Sequence, residues 1–149
     1  MAKKAIPLRD RALAMLARRE HTRVEMTRKL SPHAESPEQV EQLLDALAAR
    51  GWLSETRFAE SRAHTLARKF GSRKIEYDLR SRGVSAEVVE QMVERSLAQE
   101  FENCRAAWRR KFGVLPQDAA ERGRQMRFLA GRGFSAEAVR HVLKAADDD

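Results

Sequence analysis

Apolar residues along this chain recur at helical spacing. Val40, Leu43, Leu44 and Leu47 fall at i, i+3, i+4 and i+7; Ala59, Ala63, Leu66 and Phe70 make a second stripe, Val89, Met92 and Val93 a third, and Val139, Val142 and Leu143 a fourth. No segment alternates with period two, so no strands are expected. Boundary signals divide the pattern into nine helices: about 8-20, 22-30 and 36-50; about 54-70, 72-82 and 85-99; about 100-112, 118-132 and 135-146. Thr22 with Glu25 and Asp118 with Glu121 have capping-box spacing, and Ser54 precedes a helix. Gly51 and Gly71 are expected to end helices, and Gly113 with Pro116 to break another.

The boundaries repeat. Leu30, Leu79 and Leu129 are each followed six residues on by Ser36, Ser85 and Ser135, two further by Glu38, Glu87 and Glu137, and two after that by Val40, Val89 and Val139. The period is 49 and then 50 residues, the scale of a repeat architecture. The string encodes a helix stop and a helix start. Leu packs inward at the end of one helix, Gly83 and Gly133 can take the left-handed conformation that closes it, Ser caps the next helix, and Glu sits at the positive end of its dipole. The first copy lacks the Gly; Ser31-Pro32-His33 makes the break, and Pro37 follows Ser36 at the first helical position. The expected fold is all-α, an elongated array of three tandem three-helix, helix-turn-helix-like repeats over residues 1-53, 54-99 and 100-149. Each set has a small core, so neighbours should pack together. The acidic end Asp147-Asp148-Asp149 is expected to lack fixed structure.

Charge is sorted by helix. The formal net charge is +7, which suits a polyanionic partner. Residues 57 to 82 carry eight Lys or Arg against three acids, residues 105 to 132 eight against two, and residues 1 to 30 nine against three. The third helices of the first two sets invert this, with four acids and no base between Glu35 and Ala49, and five acids and one base between Ser85 and Asn103. A helix-turn-helix would send the helix beginning Ser85-Ala86-Glu87-Val88-Val89-Glu90 into a DNA groove, bringing carboxylates toward phosphates. Groove insertion is disfavoured, although a DNA-binding or transcriptional module remains the alternative reading. The basic first and second helices are the better contact surfaces, through phosphates and without base reading. The candidates are Arg57, Arg68, Lys69, Arg73, Lys74 and Arg80 in the second repeat, and Arg105, Arg109, Arg110, Lys111, Arg124 and Arg127 in the third.

Catalytic patterns are not found. His21, His33, His64 and His141 are scattered outside any metal-ligand spacing and read as surface or capping residues. Cys104 shares a helical stripe with Phe101 and Trp108 and reads as a buried thiol. There is no Gly-rich phosphate loop and no nucleophile elbow. An enzyme is not expected, nor any cofactor or metal. Trp52 and Trp108 are of the type that anchors interfaces, but core packing is the better reading: Trp52-Leu53, between Gly51 and Ser54, reads as a core staple joining two helices. With no signal-peptide core at Met1-Ala2-Lys3-Lys4 and no long apolar run, a cytoplasmic, non-membrane monomer is expected.

Gly51-Trp52-Leu53-Ser54-Glu55-Thr56-Arg57-Phe58-Ala59, then Lys69-Phe70-Gly71, Ile75, Leu79 and Arg82-Gly83-Val84, and finally Leu129 with Arg132-Gly133-Phe134, resemble the RecX family over roughly residues 8 to 146. Ser54-Glu55 departs from the Asn or Asp followed by Asp frequent there, and keeps a cap and an acid. The resemblance implies a partner, the RecA recombinase as a filament on single-stranded DNA. It also implies an action: lying along the filament groove and inhibiting recombination, coprotease function and ATP hydrolysis. Weak, non-specific DNA binding is a further option. The resemblance assigns no contact residues, so the basic candidates rest on charge and repeat position.

Overall fold

The structure, a computed structural model that describes residues 5–148 and their side chains through residue 144, turns the apolar stripes into helices in three sets. The first holds α1 (Leu8–Arg18), α2 (Arg23–Leu30), a 3-10 turn at Ser31–His33 and α3 (Pro37–Ala49). The second holds α4 (Glu55–Ala67), α5 (Ser72–Ser81) and α6 (Ala86–Ala98). The third holds α7 (Glu100–Lys111), α8 (Ala119–Gly131) and α9 (Ala136–Asp148). Among the described residues there is no strand.

The caps explain where helices begin. Thr22 forms a complete capping box with Glu25, and the Ser36 and Ser54 side chains accept from the amides of Gln39 and Arg57. Asp118 accepts from the Glu121 amide, but the reciprocal half is missing, because the Glu121 carboxylate accepts from the Gln117 amide at 2.9 Å. Gly83 and Gly133 close α5 and α8 at φ 81° and 93°.

Two helix boundaries differ from the expectation. α4 stops at Ala67, and Gly71 ends nothing: it is the N-cap of α5, with φ −90° and ψ −178°. Its glycine is needed for a different reason, since a Cβ there would lie 2.6 Å from the Gly133 carbonyl oxygen. At the other end α9 continues to Asp148, so the acidic run is not wholly unstructured; Asp149 lies outside the described residues.

Each set closes over its own apolar cluster. The first centres on Met26, Leu30, Leu44 and Leu47, the second on Phe58, Ile75, Leu79 and Met92, and the third on Cys104, Trp108, Leu129, Phe134 and Leu143. Within the second set α5 and α4 pack on α6; in the third α7 packs on α9, and across the boundary between the two sets α6 meets α7. The repeated Leu and Val positions are the buried anchors, all at 2 % exposure or less.

Some polar and aromatic residues lie where the sequence did not place them. His21 is buried rather than on the surface, with Nδ1 2.9 Å from the Arg19 carbonyl; burial holds the imidazole below its ordinary pKa, outweighing the backbone hydrogen bond. His141, by contrast, is exposed as expected of a surface residue, and it stacks on Phe101 at 4.2 Å. Trp52 is 41 % exposed, so only Leu53 of the expected core staple is buried. The local pattern encodes the turn but not which of two adjacent apolar residues faces inward.

Candidate functional site

Repeats two and three meet through backbone. The Gly71 amide donates to the Arg132 carbonyl at 2.9 Å and the Arg73 amide to the Gly133 carbonyl at 3.2 Å. This approach is possible because both turns carry glycine; a Cβ on Gly133 would stand 2.6 Å from Lys74 Cγ and 2.7 Å from its nitrogen. Beneath the contact lies Glu100, 4 % exposed, at the first turn of α7. Its carboxylate accepts from the Ser72 amide at 2.8 Å and from the Ser135 amide at 3.4 Å, and so joins the N-termini of α5 and α9. An acid at two positive helix ends is favourably placed. Glu55 at the start of α4 plays half of this part in repeat two, accepting from the Ser85 amide. The Ser85 side chain, unlike those of Ser36 and Ser135, makes no cap.

The same junction gathers cations on its outer side. Lys69, Arg110, Lys111 and Arg132, with Ala107 and Phe128, line a cleft of 180 Å³ whose described lining contains no acid. Arg110 donates to the Arg68 carbonyl, linking α7 to the loop after α4. The Arg132 guanidinium lies 5.2 Å from the Phe70 ring and 5.0 Å from that of Phe128, and the Lys111 ammonium 5.3 Å from Phe128. Arg73 and Lys74 enter from α5 beside Gly133. The rings hold the cations in place without neutralising them, and the Glu100 carboxylate is turned to the Ser72 and Ser135 amides.

The repeat supplies an internal comparison. Arg82 stands 50 positions before Arg132, and Asp78 stands 50 before Phe128. In repeat two Arg82 meets Asp78 at 3.0 Å, and Asp78 also accepts two hydrogen bonds from Arg62, each at 2.9 Å; hydrogen bonding from Arg62, opposed by burial and helped by Arg82, holds its carboxyl below the ordinary value. In repeat three a phenyl ring replaces that carboxylate. Arg132 therefore keeps its charge open to an outside anion.

The twelve basic candidates divide accordingly. Six belong to this junction: Lys69, Arg110 and Lys111 line the cleft, Lys74 brings its side-chain carbons beside Gly133, and Arg68 and Arg73 take part through a backbone carbonyl and a backbone amide. Arg57 does not; it meets Glu20 at 2.9 Å and donates to the Gly51 carbonyl at 2.6 Å, tying repeat one to repeat two. Arg80 pairs with Glu76, and Arg124 with Glu121. Arg105 is half-buried and has a partner of its own, while Arg109 and Arg127 are exposed on α7 and α8 outside the cleft lining. Arg132, Phe70 and Phe128 were not among the candidates. The available signal was the substitution of Phe128 for the acid at the repeat-equivalent position.

Two family matches cover together more than half of the chain: the second three-helix domain of RecX over residues 54–93 and the third over residues 98–143. The chain is 46 % identical over 144 residues to the regulatory protein RecX of Leptothrix cholodnii, covering 97 % of this chain and 92 % of that protein. It is 44 % identical to the regulatory protein RecX of Chromobacterium violaceum, over all of this chain and 97 % of the relative. The crystal structure of RecX from Lactobacillus salivarius superposes with a TM-score of 0.77 over 95 % of this chain and 96 % of that one; at 16 % identity it speaks for the fold alone. Sequence matches over the full length and a shared three-helix repeat lead to one assignment: the chain belongs to the RecX family.

Proposed function

We propose that this protein is a non-catalytic, cytoplasmic regulator of the RecA recombinase. It binds the RecA filament on single-stranded DNA and restrains its recombination, coprotease and ATPase activities. The proposed division of labour follows the repeats 1-53, 54-99 and 100-149, with the junction of the second and third as the contact surface. The observation that carries the reading is the acid-free cleft of Lys69, Arg110, Lys111 and Arg132. A nucleoprotein filament is an extended polyanion with acidic protein surface beside phosphate, and a row of fixed cations on a repeat array suits both. Groove insertion by α6 is the weaker reading, because Glu87 and Glu90 are exposed on that helix and its N-terminal Ser85 amide is occupied by Glu55.

The test is RecA ATP hydrolysis on single-stranded DNA, titrated with the purified chain and with a Lys69→Glu/Lys111→Glu variant. These two lysines are exposed, so the variant should melt as the parent does. The parent should inhibit at near-stoichiometric amounts and the variant should require at least about tenfold more, the equivalent of about 1.4 kcal/mol. No inhibition by the parent at several-fold excess refutes the regulatory reading; equal inhibition by both proteins refutes the cleft as the contact.

A further inference from the structure

Trp52 is placed as a ligand-facing residue would be. It sits in the turn between α3 and α4, where Gly51 has φ 76° and the amides of Trp52 and Leu53 both donate to the Leu47 carbonyl, at 3.0 and 3.3 Å. Leu53 anchors that turn at 7 % exposure while the indole beside it is 41 % exposed. The backbone is therefore fixed and the ring is turned outward. Trp108, the chain's other tryptophan, is 6 % exposed and its Nε1 donates to Gln125 at 2.8 Å.

Two cations converge on the exposed ring. Arg50, at the end of α3, has its guanidinium carbon 5.2 Å from the ring centre, and Arg9, from the first turn of α1, has its own at 5.6 Å. Among the described residues neither guanidinium has a carboxylate within 4.0 Å. Like charges drawn to one ring without a carboxylate beside them repel one another, so the arrangement is at its best when an anion arrives. A flat, apolar ring flanked by phosphate-sized cationic forks is the chemistry of base stacking with adjacent backbone neutralisation.

We propose that Trp52 is a stacking platform for an unpaired nucleobase, with Arg9 and Arg50 taking the flanking phosphates, so that repeat one binds single-stranded nucleic acid directly. The ligand is single-stranded because in a duplex the base faces are covered by their neighbours. An acidic protein segment would use the two arginines but would gain little from the indole. The site lies in repeat one, away from the cleft between repeats two and three, and it needs no filament protein. Its failure would leave the regulatory reading untouched.

The experiment uses the full chain with an oligothymidylate of about 15 nucleotides, a length on the scale of one single-strand binding site. Binding is followed both by tryptophan emission and by anisotropy of a labelled oligonucleotide. The parent should be quenched on binding. Trp52→Phe, in which only buried Trp108 emits, should still bind but show no quench. Trp52→Ala should bind about 5- to 150-fold more weakly, as removal of one stacked base predicts. Arg9→Ala/Arg50→Ala should bind more weakly and lower the slope of log affinity against log salt by about 0.7 for each phosphate that is no longer neutralised. Oligouridylate in a parallel arm identifies whether DNA or RNA is the tighter ligand, and either result supports the platform. Unchanged affinity in Trp52→Ala, a quench that persists in Trp52→Phe, or competition by duplex as strong as by single strand overturns it.

Discussion

Replacing Glu100 by alanine removes the carboxylate on which two helix N-termini converge. The Ser72 amide, on a residue only 5 % exposed, loses an acceptor at 2.8 Å, and the Ser135 amide loses a longer one at 3.4 Å. An unsatisfied buried donor costs about 1–3 kcal/mol, and the loss of a charge favourable to each helix dipole a further 0.3–1 kcal/mol or so, roughly. Relief of the carboxylate's own desolvation offsets part of this. The expected net loss is about 2–3 kcal/mol, or roughly 5–10 °C in melting temperature for a chain of this size. Glu100→Gln retains a neutral acceptor and should lose about half as much. Urea melts in a Trp52→Phe background, followed by far-ultraviolet circular dichroism and by the emission of Trp108, which reports the core of repeat three, measure the effect. The two probes should separate in the alanine variant, because a repeat array loses cooperativity when a junction weakens. Stability of Glu100→Ala within about 0.5 kcal/mol of the parent would refute the claim that this carboxylate holds the junction.

Two further predictions concern ionisation. Burial pushes the Glu25 carboxyl up, but the Arg19 hydrogen bond, the Thr22 amide and the Arg19 charge outweigh it and bring the value from 4.5 to about 2. A depressed folded-state pKa contributes stability that is complete above the unfolded value and lost as pH falls from about 4.5 to about 2. Arg19 is 50 % exposed, so solvent screening limits the contribution to roughly 1 kcal/mol; Glu25→Gln should flatten the acid limb of a stability-against-pH curve, and an unaltered limb counts against the assignment. Cys104, fully buried, has its thiol pushed up to about 12 by burial and then by the charge of Glu100. A thiol-specific disulfide reagent should therefore label it only at the rate of unfolding; fast labelling of the native chain would show that the third core is open.

Local chemistry was legible in the sequence and long-range chemistry was not. The caps at Thr22, Ser36 and Ser54 and the left-handed glycines at 83 and 133 could be read because each depends on residues within one turn. Glu100 was counted only as one more acid of a negative stretch; its partners are 28 and 35 positions away. Gly71 looked like a helix stop because nothing in its neighbourhood announces a carbonyl arriving from residue 133. Trp52 and Leu53 are equally apolar in a string of letters, and only the approach of α1 and α3 decides which faces inward. The basic candidates were found by helix type, which is a property of charge counts. Their grouping depended on which turns touch, and half of them lie elsewhere.

Arg82 and Arg132 show how one repeat can serve two ends. Both follow an α-helix that ends in the same Arg-Gly turn, and both reach back one turn along it. In repeat two the residue they meet is Asp78, which also binds Arg62 from α4, so three charges are consumed in holding α4 against α5. In repeat three Phe128 occupies that position, and the arginine lies between it and Phe70 from the preceding repeat. The stacking still ties the two repeats together, because it spans their boundary. What changes is the electrostatic outcome: an ion pair satisfies the guanidinium, whereas an aromatic face leaves its donors able to meet an anion. The same turn is thus a structural brace in one copy and, beside Lys69, Arg110 and Lys111, an open positive surface in the next.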